Sequence, residues 1–258
     1  MISKKEIDEF KNFSKILTNA SGKNIRKYFR KDLSVEIKSD RTEVTIADKT
    51  TEELLRKMIE KEYPDHGILG EEFGQTNKDA EYQWVLDPID GTISFLCGTV
   101  TFGTLISVVK NGEPIVGVFH QPILDELLIG DNTKTTLNDS KVKVKDITNL
   151  EDAILLTTDH LAFEEYQNLE KFEQLMRKVK LYRQWGDCYG YYLLTSGFAH
   201  IMIDPIMSFW DTMALIPIVK GAGGVITDYQ GKDAVKGESI IAASTGIHSE
   251  VIKMLKIK

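Results

Sequence analysis

Trp84-Val85-Leu86-Asp87-Pro88-Ile89-Asp90-Gly91-Thr92 decides how this chain is read: an apolar strand runs into two carboxylates, then a glycine and a hydroxyl. A string of this kind holds hard metal ions beside a phosphate. Mg²⁺ takes oxygen ligands, keeps several waters, and is bound through a few carboxylates plus substrate phosphate. Pro88 is expected to stop ladder pairing and fix the turn, and Gly91 to let backbone N–H groups approach an anion closely. Asp-Pro alone would mean no more than a turn. The whole string, with both acids, points to metal chemistry.

Two further acidic elements fit the same site. Gly70-Glu71-Glu72 follows the apolar pair Ile68-Leu69 and reads as a strand end or turn delivering a carboxylate. Trp210-Asp211 opens a helix predicted over 211–220, although an Asp at a helix start is equally well an N-cap. Ligands drawn from a strand end, a turn and a helix start are what metal-assisted phosphoryl transfer requires. Phosphatases of the haloacid dehalogenase class, which use an aspartyl nucleophile, need Asp-x-Asp after a strand. Here the spacing is Asp-x-x-Asp.

In these three motifs, in this order, the chain resembles the inositol monophosphatase superfamily of metal-dependent, lithium-sensitive phosphatases. The match comprises Gly70-Glu71-Glu72, Asp87-Pro88-Ile89-Asp90-Gly91-Thr92, and Trp210-Asp211 with Ala214 and the terminating Gly221-Ala222-Gly223-Gly224. The resemblance implies a layered α-β-α-β-α sandwich of the α/β (α+β) class, a homodimer, Mg²⁺ as cofactor, and hydrolysis of a small phosphomonoester. Carried over by position, it implies that Glu71, Asp87 and the Ile89 carbonyl hold a first metal, and Asp87, Asp90 and Asp211 a second. Gly91 and Thr92 become backbone phosphate contacts. Asp48, after Thr45-Ile46-Ala47, works with the Thr92 hydroxyl to activate a metal-bound water, so that Asp48, Glu71 and Thr92 form the implied catalytic set. The physics agrees, because a metal that lowers the pKa of its water makes a covalent phosphoenzyme unnecessary.

The substrate is read further downstream. Gln184-Trp185-Gly186-Asp187-Cys188-Tyr189-Gly190-Tyr191 resembles the Gly-Asp-Cys-Tyr segment of the bacterial histidinol-phosphate phosphatases, where inositol phosphatases place a small Ser-Ala pair. The segment 64–74 and Phe102-Gly103-Thr104 read much like the same subgroup. An extra carboxylate at Asp187 suits a cationic substrate: histidinol phosphate carries a protonated amine and an imidazole near its titration point, whereas inositol offers only hydroxyls. As a local feature, Asp187 would instead cap a helix over 188–196. Asp204 stands where this superfamily commonly has a substrate-binding Glu, one methylene longer, and is a second expected substrate contact. His200 occupies a position that is usually acidic, and Ser39-Asp40-Arg41-Thr42-Glu43 replaces a Gly-Ser-Pro-type loop. The expected reaction is histidinol phosphate to histidinol plus phosphate. Inositol 1-phosphate or another small sugar or nucleotide phosphate is the alternative. A regulatory binding protein, as among RNA-polymerase-associated relatives, is a reading of another class, but pure binding would not need Glu71, Asp87, Asp90 and Asp211 together.

Composition bounds the rest. The 258 residues, 42% hydrophobic, suffice for a substantial core and are read as one domain, 1–258, with a metal- and phosphate-binding half, 1–149, and a substrate-recognition half, 150–258. A net charge of −7 argues against nucleic acid as a partner, and the basic clusters at 23–31 and 171–180 read as solvated helix faces. Cys97 and Cys188 form neither a disulfide framework nor a zinc signature. No run approaches ~18 apolar residues and the N-terminus lacks an apolar core segment, so a cytoplasmic protein without a membrane partner is expected.

Periodicity places Ile7, Phe10, Phe13, Leu17, Ile25 and Phe29 on a first helix or helix pair, and Ile46, Leu54, Leu55, Met58 and Ile59 on a second ending before Pro64. Strands are predicted over 83–86, 104–110 and 114–120, the last two joined by an Asn111-Gly112 hairpin, then an edge hairpin within 131–149. In the second half, strands fall at 153–158, 199–203, 225–228 and 239–243, and helices at 161–178 and 247–257. Gly221-Ala222-Gly223-Gly224 terminates a helix and is no dinucleotide motif.

Overall fold

The structure, a computed structural model, describes residues 2–37 and 43–256. It opens with helix α1, Lys4–Ile25, whose Ser3 and Glu6 form a reciprocal capping box. The α1 face carrying Phe10, Phe13, Leu17 and Ile25 is buried. A short hairpin, β1 (Val35–Ile37) and β2 (Glu43–Thr45), leads into α2, Ile46–Glu62. The Ser39-to-Thr42 part of the replaced loop and Ile257 lie outside the described residues.

An eight-stranded sheet follows. Its strands are β3 (Gly67–Gly70), β4 (Gly74–Thr76), β5 (Tyr82–Asp90), then, after the one-turn helix α3 (Thr92–Leu96), β6 (Gly103–Lys110), β7 (Glu113–Gln121), β8 (Glu126–Gly130), β9 (Thr135–Leu137) and β10 (Ser140–Val142). The spatial order is β10-β9-β8-β7-β6-β5-β3-β4, with only β3 and β5 parallel. Asn111 and Gly112 both take positive φ, 49° and 85°, the mirror-image turn that matches strand twist.

The second sheet is built from β11 (Ile154–Leu156), β12 (Leu181–Arg183), β13 (Ile201–Asp204), β14 (Val225–Thr227) and β15 (Ile240–Ala243), in the order β12-β11-β13-β15-β14. Its helices are α4 (Ala162–Tyr166), α5 (Leu169–Lys178), α6 (Asp187–Thr195), α7 (Phe209–Gly221) and α8 (His248–Leu255). The single helix expected over 161–178 is two, because Gln167 leaves helical geometry and Asn168 accepts a hydrogen bond from the Lys171 N–H to start α5 afresh.

Five layers result. Residues of α1 and α2 pack with Trp84, Leu86, Ile106 and Val118 on one face of the large sheet. The other face, with Leu105, Phe119 and Leu128, meets α6 and α7, which also cover Met202, Ala242 and Ile240 of the small sheet. Phe163, Phe172, Val251 and Leu255 of α4, α5 and α8 close the far side. Because α7 is sandwiched, its residues from Thr212 to Val219 are all buried.

Two details fix α7 on the sheet. Gly117 and Gly130 pair across β7 and β8. A Cβ on Gly117 would lie 1.9 Å from the Ala214 carbonyl oxygen, and one on Gly130 2.5 Å from the Ile218 Cα, so the helix rests directly on strand backbone. Pro217, inside α7, has no N–H for the Met213 carbonyl four residues back, and the Ser107 hydroxyl donates to that oxygen instead, at 3.0 Å. At its far end α7 closes with Gly223 at φ 82°, the Gly223 N–H bonded to Lys220 and the Gly224 N–H to Val219, the double bond of a glycine-terminated helix.

Candidate active site

The apolar strand β5 does not end at Pro88. Pairing with β6 runs to Asp87↔Leu105 and resumes at Asp90↔Gly103, skipping Pro88 and Ile89 in a bulge. On a regular strand, residues three apart face opposite sides. The bulge turns both acids into one cavity, and Thr104 donates to the freed Pro88 carbonyl at 2.8 Å. Within the bulge the Ile89 N–H donates to Asp87 Oδ1 at 3.0 Å.

Three elements converge on this bulge. Carboxylate oxygens of Asp87, Asp90 and Asp211 lie within 4.8 Å of one another. Asp211 is the third residue of α7, and one of its oxygens accepts the Ser208 N–H at 3.1 Å, so the same side chain caps its helix and joins the cluster. Glu71, in the turn after β3, lines the same cavity, and so does Ile89. Asp90 Oδ2 accepts the Cys188 N–H at 2.5 Å from α6.

These acids raise one another's proton affinity. Burial first, then the charges of Glu71 and Asp90, push the Asp87 carboxyl well above the ordinary range. Burial and Asp211 push Asp90 up to about 8, and burial and Glu71 push Asp211 to about 7. Crowded carboxylates with no compensating base behave this way. A divalent cation would reverse the balance, and a set of hard oxygen donors without sulfur or imidazole suits Mg²⁺.

Asp48 sits in the first turn of α2. Its Oδ2 accepts the Thr45 N–H at 2.9 Å and the Thr45 hydroxyl at 2.6 Å, completing a capping box. Its Oδ1 faces the Thr92 hydroxyl at 3.5 Å, and that hydroxyl also donates to the Ile89 carbonyl at 3.1 Å. Burial raises the Asp48 carboxyl. Gly91 takes φ 84°, and a Cβ there would meet Asp187 Oδ2 at 2.8 Å and the Thr101 carbonyl at 3.0 Å.

Asp187 does not cap α6. It is the first helical residue, follows an N-cap glycine that makes no side-chain bond, and has φ 50°, a strained value for a residue with a Cβ. The strain is held by the Thr158 hydroxyl, which accepts the Asp187 N–H at 2.8 Å. The carboxylate turns outward to accept from Ser94 at 2.8 Å, and burial together with Asp90 raises it to about 8. Two adjoining cavities, of about 240 and 180 Å³, share Asp90, Asp187 and Asp211. The second is walled by Pro205, Ile206 and Met207 with Asp159 and Asp204.

Asp204 is placed at this second cavity with both oxygens engaged: Oδ1 accepts the Thr158 N–H at 3.2 Å and Oδ2 the Tyr191 hydroxyl at 2.8 Å. The shorter side chain at this position therefore braces Thr158, which in turn braces Asp187. His200 lies elsewhere; its Nδ1 accepts the Ile154 N–H at 3.0 Å. Ser94 and Thr158 escaped the sequence reading, since their relation to Asp187 exists only through the fold. Together the two cavities are lined by eight carboxylates, those of Glu43, Glu71, Asp87, Asp90, Asp159, Asp187, Asp204 and Asp211, and among the described residues no Lys, Arg or His lines either.

Residues 6–257 match the model of the inositol monophosphatase family. The chain is 40% identical to the chloroplastic bifunctional phosphatase IMPL2 of Arabidopsis thaliana, over 99% of this chain and 77% of that protein. It is 36% identical to a histidinol-phosphatase of Chlorobaculum parvum, over 92% of each. Among solved structures it resembles an inositol monophosphatase from Zymomonas mobilis, with 31% identity and a TM-score of 0.86 over 99% of this chain and 100% of that one. Among the described residues no helix is long and apolar enough to cross a membrane.

Proposed function

The chain belongs to the inositol monophosphatase family and is a Mg²⁺-dependent phosphatase, and from that premise we propose that it hydrolyses histidinol phosphate to histidinol and phosphate. One observation carries the substrate assignment: a cavity lined by carboxylates and, among the described residues, by no basic side chain, in which Asp187 stands apart from the metal ligands at the junction of the two lobes. Metals can neutralise the Asp87–Asp90–Asp211 cluster. A cationic alcohol is what Asp187 and the second lobe would neutralise, through a charge-assisted hydrogen bond. An inositol ring has no charge to offer there. The 36% identity to a histidinol-phosphatase supports the same reading.

In this proposal Glu71, Asp87, Asp90, Asp211 and the Ile89 carbonyl hold the metals. Bound Mg²⁺ supplies Lewis acidity, offsetting phosphate charge and making water acidic enough to attack near neutral pH. Backbone N–H groups of Gly91 and Thr92 orient the phosphate, and the left-handed Gly91 admits it without a side chain in the way. The Thr92 hydroxyl and Asp48 receive the proton that the attacking water releases. Asp48 suits that task because burial raises its carboxyl, making it a better base than a surface aspartate. As the P–O bond to the alcohol breaks, the departing oxygen takes a proton from a water molecule and the alcohol leaves through the second lobe, where Asp187, aligned by Thr158 and Asp204, holds the cationic end. Homodimerisation, lithium inhibition and a cytoplasmic location belong to the same proposal; size-exclusion chromatography, a LiCl titration and fractionation test them.

The decisive test is phosphate release over a panel of histidinol phosphate, inositol 1-phosphate, fructose 1,6-bisphosphate and 3′-phosphoadenosine 5′-phosphate, each with Mg²⁺ and with EDTA. Histidinol phosphate is expected to give the highest kcat/KM, and every activity to vanish in EDTA. Preference for inositol 1-phosphate would overturn the substrate assignment while leaving the hydrolytic one.

A further inference from the structure

We propose that Glu52 is a positioning residue for metal binding: from the inner face of α2 its carboxylate holds the 70–73 turn so that Glu71 is presented to the Asp87–Asp90–Asp211 cluster. Glu52 is fully buried yet lines neither cavity. Its Oε2 accepts the Glu72 N–H at 2.8 Å, and its Oε1 accepts the Phe73 N–H at 3.2 Å and the Arg56 Nε–H at 2.7 Å. Arg56 reaches past it to donate to the Gly74 carbonyl. One acid–base pair, a helical turn apart on α2, thus clamps the turn immediately after Glu71.

The residue before Glu71 fits the same purpose. A Cβ on Gly70 would lie 2.0 Å from Glu52 Oε1, so the carboxylate can rest against this turn only because no side chain is there. On the other side, the Glu71 N–H donates to the Leu86 carbonyl of β5 at 3.2 Å. The backbone of Glu71 is therefore tied to the strand that carries Asp87 and Asp90, and the next two amides to α2. A loop that must deliver a charged side chain into a cluster of like charges would otherwise swing away, and outer partners that orient a ligand affect metal affinity by about 10- to 100-fold. Glu52 touches neither metal nor substrate in this account, and the inference rests on the proposed metal role of Glu71.

A Mg²⁺ titration followed by thermal unfolding of the full chain tests it, because a merely structural pair would lower the metal-free melting temperature without moving the Mg²⁺ midpoint. Glu52→Gln keeps shape and one acceptor but loses the charge. It is expected to raise the Mg²⁺ midpoint about tenfold, while kcat at saturating Mg²⁺ recovers to near the wild-type value. A folded Glu52→Gln protein whose midpoint is unchanged, while Glu71→Gln shifts it, overturns the positioning role. If Glu71→Gln leaves the midpoint unmoved, the metal role of Glu71 falls and the inference with it, whatever the substrate panel shows. Should Glu52→Gln fail to fold, wild-type hydrogen exchange decides: Mg²⁺ should slow the Glu72 and Phe73 amides, and exchange indifferent to Mg²⁺ overturns the proposal.

Discussion

Glu52 and the Asp87–Asp90–Asp211 cluster flank the same turn, Glu52 and Asp87 buried and Asp90 and Asp211 half-buried, and are treated by the protein in opposite ways. Glu52 has a guanidinium and two backbone N–H groups on its oxygens. The three aspartates have one another, a few amide donors, and raised proton affinities. Burial of a charge is costly in either place, and a protein normally answers it with a partner. Where the chain supplies that partner the acid is part of the scaffold, and where it does not the acid waits for a cation from outside. The difference, more than burial itself, marks the site.

The largest expected effect breaks the comparison on the unpartnered side. Asp90→Asn should remove a metal ligand and lower kcat at saturating Mg²⁺ by roughly 10³-fold, about 4 kcal/mol of transition-state stabilisation. Its metal-free melting temperature near neutral pH should stay level or rise, because Asn needs no proton taken up on folding, as Asp90 does. Retention of more than about a tenth of wild-type turnover on that scale contradicts the metal assignment.

On the partnered side the expectation inverts. Arg56→Met leaves the Glu52 carboxylate buried without its cation and should cost about 3 kcal/mol of folding stability in denaturant titrations, with or without Mg²⁺. A loss confined to Mg²⁺-containing samples would mean that Arg56 contributes through the metal-bound turn alone and nothing to the metal-free fold.

Asp187 sharpens the comparison, since it is a half-buried acid with one hydroxyl donor, beside the cluster but outside the proposed ligand set. Asp187→Asn should lower kcat/KM for histidinol phosphate by roughly 10- to 150-fold, the value of a charge-assisted contact, and change p-nitrophenyl phosphate turnover little. Equal losses on both substrates, or a collapse in melting temperature, would make Asp187 structural.

The last effect is a slope, small per pH unit and summed over several. Between the unfolded value of 3.8 and the folded value of about 8, native Asp90 keeps a proton that the unfolded chain releases. The native state binds more protons there, so stability must fall as pH rises, by up to about 1.4 kcal/mol per pH unit for each such proton. Above pH 8 the slope from this group ends. Melting curves in EDTA from pH 5 to 8.5 should show the decline, and saturating Mg²⁺ should flatten it. A metal-free protein that gains stability toward pH 8 would refute the sign.

Much of this was legible in the sequence, and the limits have physical causes. The Asp87-to-Thr92 string, the Asn111-Gly112 turn and the glycine end of α7 are local codes, written in residues whose chemistry or backbone preference is nearly unique. Pro88 was read as a stop, and its effect is subtler: it removes one donor, and the strand absorbs that loss as a bulge and carries on. Asn168, a cap, lies inside an apolar pattern that reads as one continuous helix. Taken singly, Glu52 and Arg56 carry no local signal of a buried role, because charged residues are expected at the surface. Their spacing with Asp48, Leu55 and Ile59 puts them on the buried face of α2, a signal present in the pattern but outweighed by side-chain type. Asp204 was assigned to the ligand by position, and no pattern could have revealed that Tyr191 and Thr158 would engage both its oxygens.

The glycine pair under α7 sets where change can enter this enzyme. Asp211 rides on a helix that meets the backbone of β7 and β8 directly at Gly117 and Gly130, with no side chain at those two points to lengthen, shorten or repack. The walls of the second lobe, Asp159, Ile206 and Met207, stand on connecting segments that bear no such load. Mutational drift can therefore remodel the lobe proposed to hold the alcohol while the helix that carries Asp211 stays locked, and one hydrolytic frame can pass from substrate to substrate without ceasing to work.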